Sequence, residues 1–233
     1  MIPGDSFRHD GQPPALTEDE RRLVADFTRL YYRHWHHDSR GGSGSVSIGW
    51  LGWLAQKCPT DLWTCQEIMV ETRPDIIIET GTCLGGSGLF MAHLCDMLGQ
   101  GQVISVDITR NEGLPEHPRL TYITGDSAAP GVVAEVKARI PAGARVMVIL
   151  DSDHRAPHVT AELAAYAELV TQGCYLIVED GVVNGNPVLP EYGPGPLEAL
   201  HEFVAANPHF VIDRSRQRFL LTMSPDGFLR RVA

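Results

Sequence analysis

The chain lacks the features that would send it toward a membrane, a nucleic acid or the secretory route. No apolar run approaches the ~20 residues that a helical membrane span needs, so a spanning protein is not expected. Basic residues are outnumbered, with 19 Lys plus Arg against 29 Asp plus Glu and a net charge of -10. So acidic a chain repels phosphate backbones, which argues against nucleic acid as a partner. The opening residues, MIPGD, have no basic segment followed by an apolar stretch, so no secretory signal is expected. No Cys-x-x-Cys pair occurs. The five cysteines, at 58, 65, 83, 95 and 174, form an odd, scattered set that reads as reduced thiols in a cytoplasmic protein. Internal repeats and low-complexity tracts are absent. What remains is an ordinary composition, 43% hydrophobic and 21% charged over 233 residues, enough for one sizeable core.

Two regions follow along the chain. Residues 1–49 read as an N-terminal unit: a polar, Pro/Gly-rich arm, a helix over 17–37 and a Gly/Ser-rich loop, DSRGGSGSVSIG. Thr17 and Glu20 form a capping-box pattern, and Leu23, Phe27, Leu30 and Tyr31 recur at helical spacing. A loop of that length inside a compact domain is more often functional than a plain connector, so 39–49 is a lid candidate, with Trp50 and Trp53 as substrate-wall candidates. The histidine-rich stretch His34-Trp35-His36-His37 reads as a solvated helix end. From Trp50 onward the chain is expected to form one catalytic domain. A helix over 59–72 precedes short apolar strands at 75–79, 103–107, 120–124, 146–151 and 175–179. Helices over 86–98, 130–139 and 156–171 lie between them. Strands so uniformly apolar are buried on both faces, which predicts an α/β fold with a parallel sheet and helices on each side. A last helix over 196–206 leads to runs at 210–215 and 219–223, expected to form an antiparallel hairpin at the sheet edge.

The first strand runs into a glycine turn and a helix start, IIIETGTCLGGSG over 76–88. Glycine permits close approach of backbone to ligand, and a helix N-terminus offers unpaired N–H groups and the positive end of a dipole. The spacing Gly81-x-x-x-Gly85 is neither the Gly-x-Gly-x-x-Gly dinucleotide fingerprint nor followed by Gly-Lys-Ser/Thr, which disfavours NAD and ATP. Glu79 ends the first strand and Asp107 the second, where an acid can take both hydroxyls of a ribose. Asp126 and Ser127 follow the third. Together with Gly81, Thr82, Gly85 and Ser87, these groups fit S-adenosylmethionine (SAM).

The fourth strand ends in Asp151-Ser152-Asp153-His154 and the fifth in Glu179-Asp180. In a parallel sheet both ends open on one edge, so Asp151, Glu179 and Asp180 can converge. Carboxylates about 4 Å apart repel by roughly 4 kcal/mol per pair at an effective dielectric of 20. Protonation, a basic side chain or a hard divalent ion must offset this; Arg155 is the only base nearby in sequence. Oxygen ligands select magnesium or calcium over zinc. His154, beside the acids, suits a general base, and Asp153 is the acid that alternation turns away.

The set of motifs resembles the cephalosporin hydroxylase / rhamnosyl O-methyltransferase family of SAM-dependent enzymes. It comprises Trp50-Leu51-Gly52, Lys57-Cys58-Pro59 with Asp61-Leu62-Trp63, Gln66-Glu67, Ile77 to Thr82 with Gly85-Gly86-Ser87, and Leu150 to His154. It continues through Val178-Glu179-Asp180 and Asp213 to Arg216, then Phe219 to Thr222 and Gly227 to Arg230. The resemblance implies a Rossmann-like SAM methyltransferase fold, mostly parallel with an antiparallel C-terminal edge. It extends to macrolide sugar O-methyltransferases, in which an Asp–His pair and a later carboxylate pair serve magnesium. It implies metal ligation by Asp151, Glu179 and Asp180, His154 as base, and assembly into a homo-oligomer. Cys65 stands where an aromatic is expected. The reading is a magnesium-dependent O-methyltransferase with SAM across Glu79, Gly81, Thr82, Gly85, Ser87, Asp107, Asp126, Ser127 and Asp151, and His154 and Asp151 at the chemistry. Its acceptor is a vicinal diol on the sugar of a small-molecule glycoside, such as a natural product or glycolipid, or another polyol. The alternatives are a SAM-binding, non-methylating auxiliary protein of an antibiotic pathway and, further off, a nicotinamide-dependent dehydrogenase.

Overall fold

The structure, a computed structural model, describes residues 15–36 and 48–233. The polar arm and the Gly/Ser-rich lid candidate therefore lie outside the described residues, apart from their last positions. The first helix, α1 (Glu18–His36), starts as expected. The Thr17 backbone N–H donates to Glu20 Oε2 at 2.8 Å, and the Glu20 N–H donates back to Thr17 Oγ1 at 3.3 Å. Its apolar stripe is largely uncovered by the described residues. Leu23, Phe27 and Leu30 are 69%, 50% and 42% exposed, while Thr28 and Tyr32 are the buried contacts. A two-stranded hairpin, β1 (Gly49–Trp50) and β2 (Trp53–Leu54), follows and leads into α2 (Pro59–Thr72). Trp50 packs edge-on against Phe90 and donates its indole N–H to His93 Nδ1 at 2.8 Å. It is thus a packing residue rather than a substrate wall.

The apolar runs become β3 (Ile76–Thr80), β4 (Gln102–Asp107), β5 (Leu120–Thr124), β6 (Val146–Leu150) and β7 (Tyr175–Val178), all parallel. Between them lie α3 (Gly86–Leu98), α4 (Pro130–Ala138) and α5 (Ala156–Tyr166), the last continued by a 3-10 turn. After α6 (Pro196–Ala206) come β8 (Phe210–Ile212) and β9 (Phe228–Arg231). The sheet order is β5-β4-β3-β6-β7-β9-β8, with β9 antiparallel to both neighbours. The expected hairpin partner at 219–223 is therefore wrong. Leu220 sits at φ +67°, a left-handed residue that a strand cannot pass through, and the pairing falls to Phe228–Arg231 instead.

Alternation along β3 divides the core. Ile76 and Ile78 pack toward α5 and α6 with Val159, Leu163, Tyr166 and Leu200. Ile77 packs toward α2 and α3 with Ile68, Met69, Phe90 and Met91. All three isoleucines are at most 5% exposed, and each is worth about 1.5–3 kcal/mol of burial. The same alternation puts Glu79 on the α2/α3 side. The strand order reverses between β3 and β6, the switch point outside whose carboxyl ends ligands bind in open α/β sheets.

Candidate active site

Two glycines bring the strand ends together. Gly81 lies at φ +89°, and a Cβ there would stand 1.9 Å from the Asp151 carbonyl oxygen. A Cβ on Gly86 would stand 2.3 Å from the Leu54 carbonyl oxygen, so the start of α3 lies directly on the β2 segment. These contacts leave a cavity of about 650 Å³ along the sheet edge. Of the residues expected to hold SAM, Gly81, Ser87, Asp107, Asp126, Ser127 and Asp151 line it. Cys83, Ile108, Ser152 and His158 join them, none of which was singled out from sequence. Asp107 is fixed by the Cys83 and Thr109 N–H groups, at 2.9 and 3.0 Å, which tie the end of β4 to the glycine loop. Ser127 Oγ and Ser152 Oγ both donate to Glu162 Oε1, at 2.5 and 2.7 Å, with His158 Nε2 beside them.

Glu79, Thr82 and Gly85 do not reach the cavity wall. The Glu79 carboxylate is fully buried and accepts from Ser87 Oγ at 2.5 Å and Ser105 Oγ at 2.7 Å. Burial raises its pKa against the pull of Lys57. Thr82 Oγ1 is spent on Ser105 Oγ at 2.8 Å, and Gly85 turns toward Pro115. These three shape the loop that the other residues present.

The acidic residues do converge, and the cation among them is Lys57. Its Nζ donates to Asp151 Oδ2 at 2.5 Å and lies 2.9 Å from Glu179 Oε1, with the side chain 5% exposed. Arg155, the base expected from proximity, instead pairs with Asp153 at 3.4 Å. Burial works against the Lys57 charge, but Asp151, Glu179 and Glu79 hold its pKa well above the ordinary value. Burial pushes Asp151 up to about 6, with Lys57 pulling down and Asp180 pushing further up. Glu179 is likewise raised by burial. On the open side, His154 Nε2 lies 3.1 Å from Asp180 Oδ2. Burial lowers the imidazole pKa, yet Asp180 and Asp151 outweigh it and the net shift is upward. Asp180 sits at φ +54°, a left-handed conformation of the kind that strained functional positions adopt. Asp151, His154 and Asp180 each offer a ligand atom, all within 4.8 Å of one another.

Behind Asp180 the 181–195 segment is pinned by Glu198. Its carboxylate accepts from Asn184 Nδ2 at 3.0 Å, Asn186 Nδ2 at 3.2 Å and the Gly195 N–H at 2.7 Å. Tyr192, 36% exposed, projects from this segment within the field of Asp153 and Asp180. The sequence reading places Lys57 only within the Lys57-Cys58-Pro59 motif and does not assign it to the acidic cluster, because it lies 94 residues before Asp151 in the chain. A signal for it was present: the chain has only two lysines, Lys57 and Lys137, among its 19 basic residues.

A doubly wound sheet closed by an antiparallel C-terminal edge, with a ligand cavity at its switch point, defines a Rossmann-like methyltransferase fold. A family profile described as Rhamnosyl O-methyltransferase/CmcI matches residues 44–232. The chain belongs to that family, and it is a SAM-dependent O-methyltransferase. It is 37% identical over 208 residues to a rhamnosyl O-methyltransferase of Mycobacterium leprae, covering 86% of this chain and 89% of that protein. It is 34% identical over 227 residues to one of Mycobacterium bovis, covering 90% and 92%. Among solved structures it is similar to a CmcI structure with Mg and SAM, at a TM-score of 0.61 and 24% identity over 83% of this chain and 80% of that one. A likeness at that identity speaks for the fold. Family membership sets the nicotinamide alternative aside, and no described helix is long and apolar enough to cross a membrane.

Proposed function

We propose that the protein methylates one hydroxyl of a vicinal diol on the sugar of a small-molecule glycoside, or on a comparable polyol, in a magnesium-dependent reaction. The observation that carries this reading is one cavity lined by Asp107 and Asp126 together with Asp151, His154 and Asp180. Asp107 receives the ribose hydroxyls, and Asp126 and Ser127 border the base. Gly81 and Ser87 hold the methionine part, and Asp151 stands between cofactor and acceptor. Asp151 and Asp180 fit a hard divalent ion, each offering an oxygen that lies with a His154 ring nitrogen within 4.8 Å of one another, while Glu179 is held by Lys57. Asp151 and Asp180 would hold magnesium, with Glu179 as the third carboxylate. When bound there, the ion supplies Lewis acidity that lowers the pKa of a neighbouring hydroxyl. His154 takes the acceptor proton, and the Asp180 carboxylate, 3.1 Å from the ring at Nε2, stabilises the imidazolium. The chain's largest contribution is placement of the two reactants, an effect that can reach ~7–11 kcal/mol.

A methyl-transfer assay on a rhamnoside with SAM tests the metal requirement. EDTA is expected to lower turnover by at least about 100-fold, with recovery on adding magnesium. Undiminished turnover in EDTA refutes the metal role. The exposed stripe of Leu23, Phe27 and Leu30 supports a homo-oligomer formed through α1, and a monomer in sedimentation would contradict this.

A further inference from the structure

Lys57 has no place in the reaction just described, yet it is the most buried cation of the site. It enters from the turn ahead of α2, and its ammonium bridges the ends of β6 and β7 through Asp151 and Glu179. A small cavity lined by Lys57, Asp61, Glu79 and Glu179 lies against it, which adds two further acidic residues, Asp61 and Glu79, to its surroundings. Removing one partner of a buried ion pair leaves an uncompensated charge, which is strongly destabilising. The ammonium therefore compensates the charge of Asp151 and Glu179.

We infer that Lys57 is a positioning residue that acts as an internal counter-ion, holding Asp151 and Glu179 together in the metal-free protein and competing with a divalent ion for their charge. The inference rests on the proposed metal role of the cluster. Lys57 engages Glu179 and Asp151 Oδ2, while Asp151, His154 and Asp180 form the group whose ligand atoms lie within 4.8 Å of one another. A fixed positive charge between two ligands weakens the field that an incoming cation feels. Folding without metal and weak, exchangeable metal binding are two results of this one contact.

The test compares wild type with Lys57→Met and Lys57→Gln, using Mn2+ titrated by calorimetry and thermal unfolding with and without Mn2+. Both variants are expected to melt lower than wild type in EDTA. Both should bind Mn2+ at least about tenfold more tightly, since one lost charge at close range outweighs 1.4 kcal/mol, and gain more melting temperature from Mn2+ than wild type does. Equal or weaker Mn2+ affinity in a folded variant overturns the inference while leaving the metal reading intact. Failure of both variants to fold even with millimolar Mn2+ also overturns it. If neither wild type nor variants bind Mn2+, the metal reading itself falls and takes the inference with it.

Discussion

Replacing His154 by Ala is expected to lower kcat by about 10²–10⁴-fold, the range for loss of a positioned general base, with SAM affinity nearly unchanged. His154 lines the cavity beside Asp180 and Asp151, whereas the glycine loop and Asp107 lie toward the other strand ends. Calorimetry with SAM and steady-state rates separate the two effects, and a variant that loses SAM binding in proportion to its rate contradicts the assignment. The surroundings of the ring also fix a direction with pH. Burial lowers the imidazole pKa but the two carboxylates raise it further, so in the metal-free protein the ring is held above its ordinary value of 6.5. The proton is therefore retained as pH rises past that value, and the neutral base forms only above it. In Asp180→Asn the larger of the two attractions is gone, and the midpoint followed by imidazole NMR is expected to fall. A midpoint that stays in place removes Asp180 as the partner.

Gly81→Ala is expected to damage fold and function together. The new methyl group would stand 1.9 Å from the Asp151 carbonyl oxygen, which is backbone and cannot swing aside. The φ of +89° adds conformational strain for any residue with a Cβ. Overpacking and strain sum to about 3–5 kcal/mol, which in a chain of this size lowers the melting temperature by on the order of 10 °C. The displaced Asp151 backbone carries the carboxylate that faces both the cofactor cavity and Lys57, so SAM affinity should fall with stability. Differential scanning calorimetry and SAM titration report the two losses. A variant that melts like wild type would show that β3 and β6 are not held as closely as described.

Much of this was legible in the residues, for identifiable reasons. Four strands buried on both faces leave apolar runs, the edge strand β5 is only half-buried, and β3 to β7 fall within a residue or two of where the runs lie. Carboxylates that end parallel strands must share an edge, so Asp151, Glu179 and Asp180 could be grouped from order alone. Contacts set by tertiary packing were not legible. Lys57 reaches the cluster across 94 residues of chain, and the Lys57-Cys58-Pro59 motif does not by itself say which acids it meets. Glu79 was read as a cofactor group because it ends a strand, but alternation turns it inward onto Ser87 and Ser105. The antiparallel C-terminal edge was legible, but its second strand was misplaced because 219–223 is as apolar as a strand, and the left-handed Leu220 breaks it. The stripe on α1 has helical spacing but no core beneath it, since amphipathicity specifies that a face is covered and not by what.

The parallel sheet works as a ruler. Asp107 ends β4 and Asp180 follows β7, three strand spacings apart, about 14 Å at ~4.8 Å each. That span matches a nucleoside with its amino-acid arm, and it is fixed by backbone ladders that substitutions on the rim do not touch. In the proposed binding mode, donor geometry is set by the scaffold. The Glu198-pinned connection around Tyr192 lies beyond the last graduation, where new acceptors can be accommodated without resetting the distance at which the methyl group is delivered.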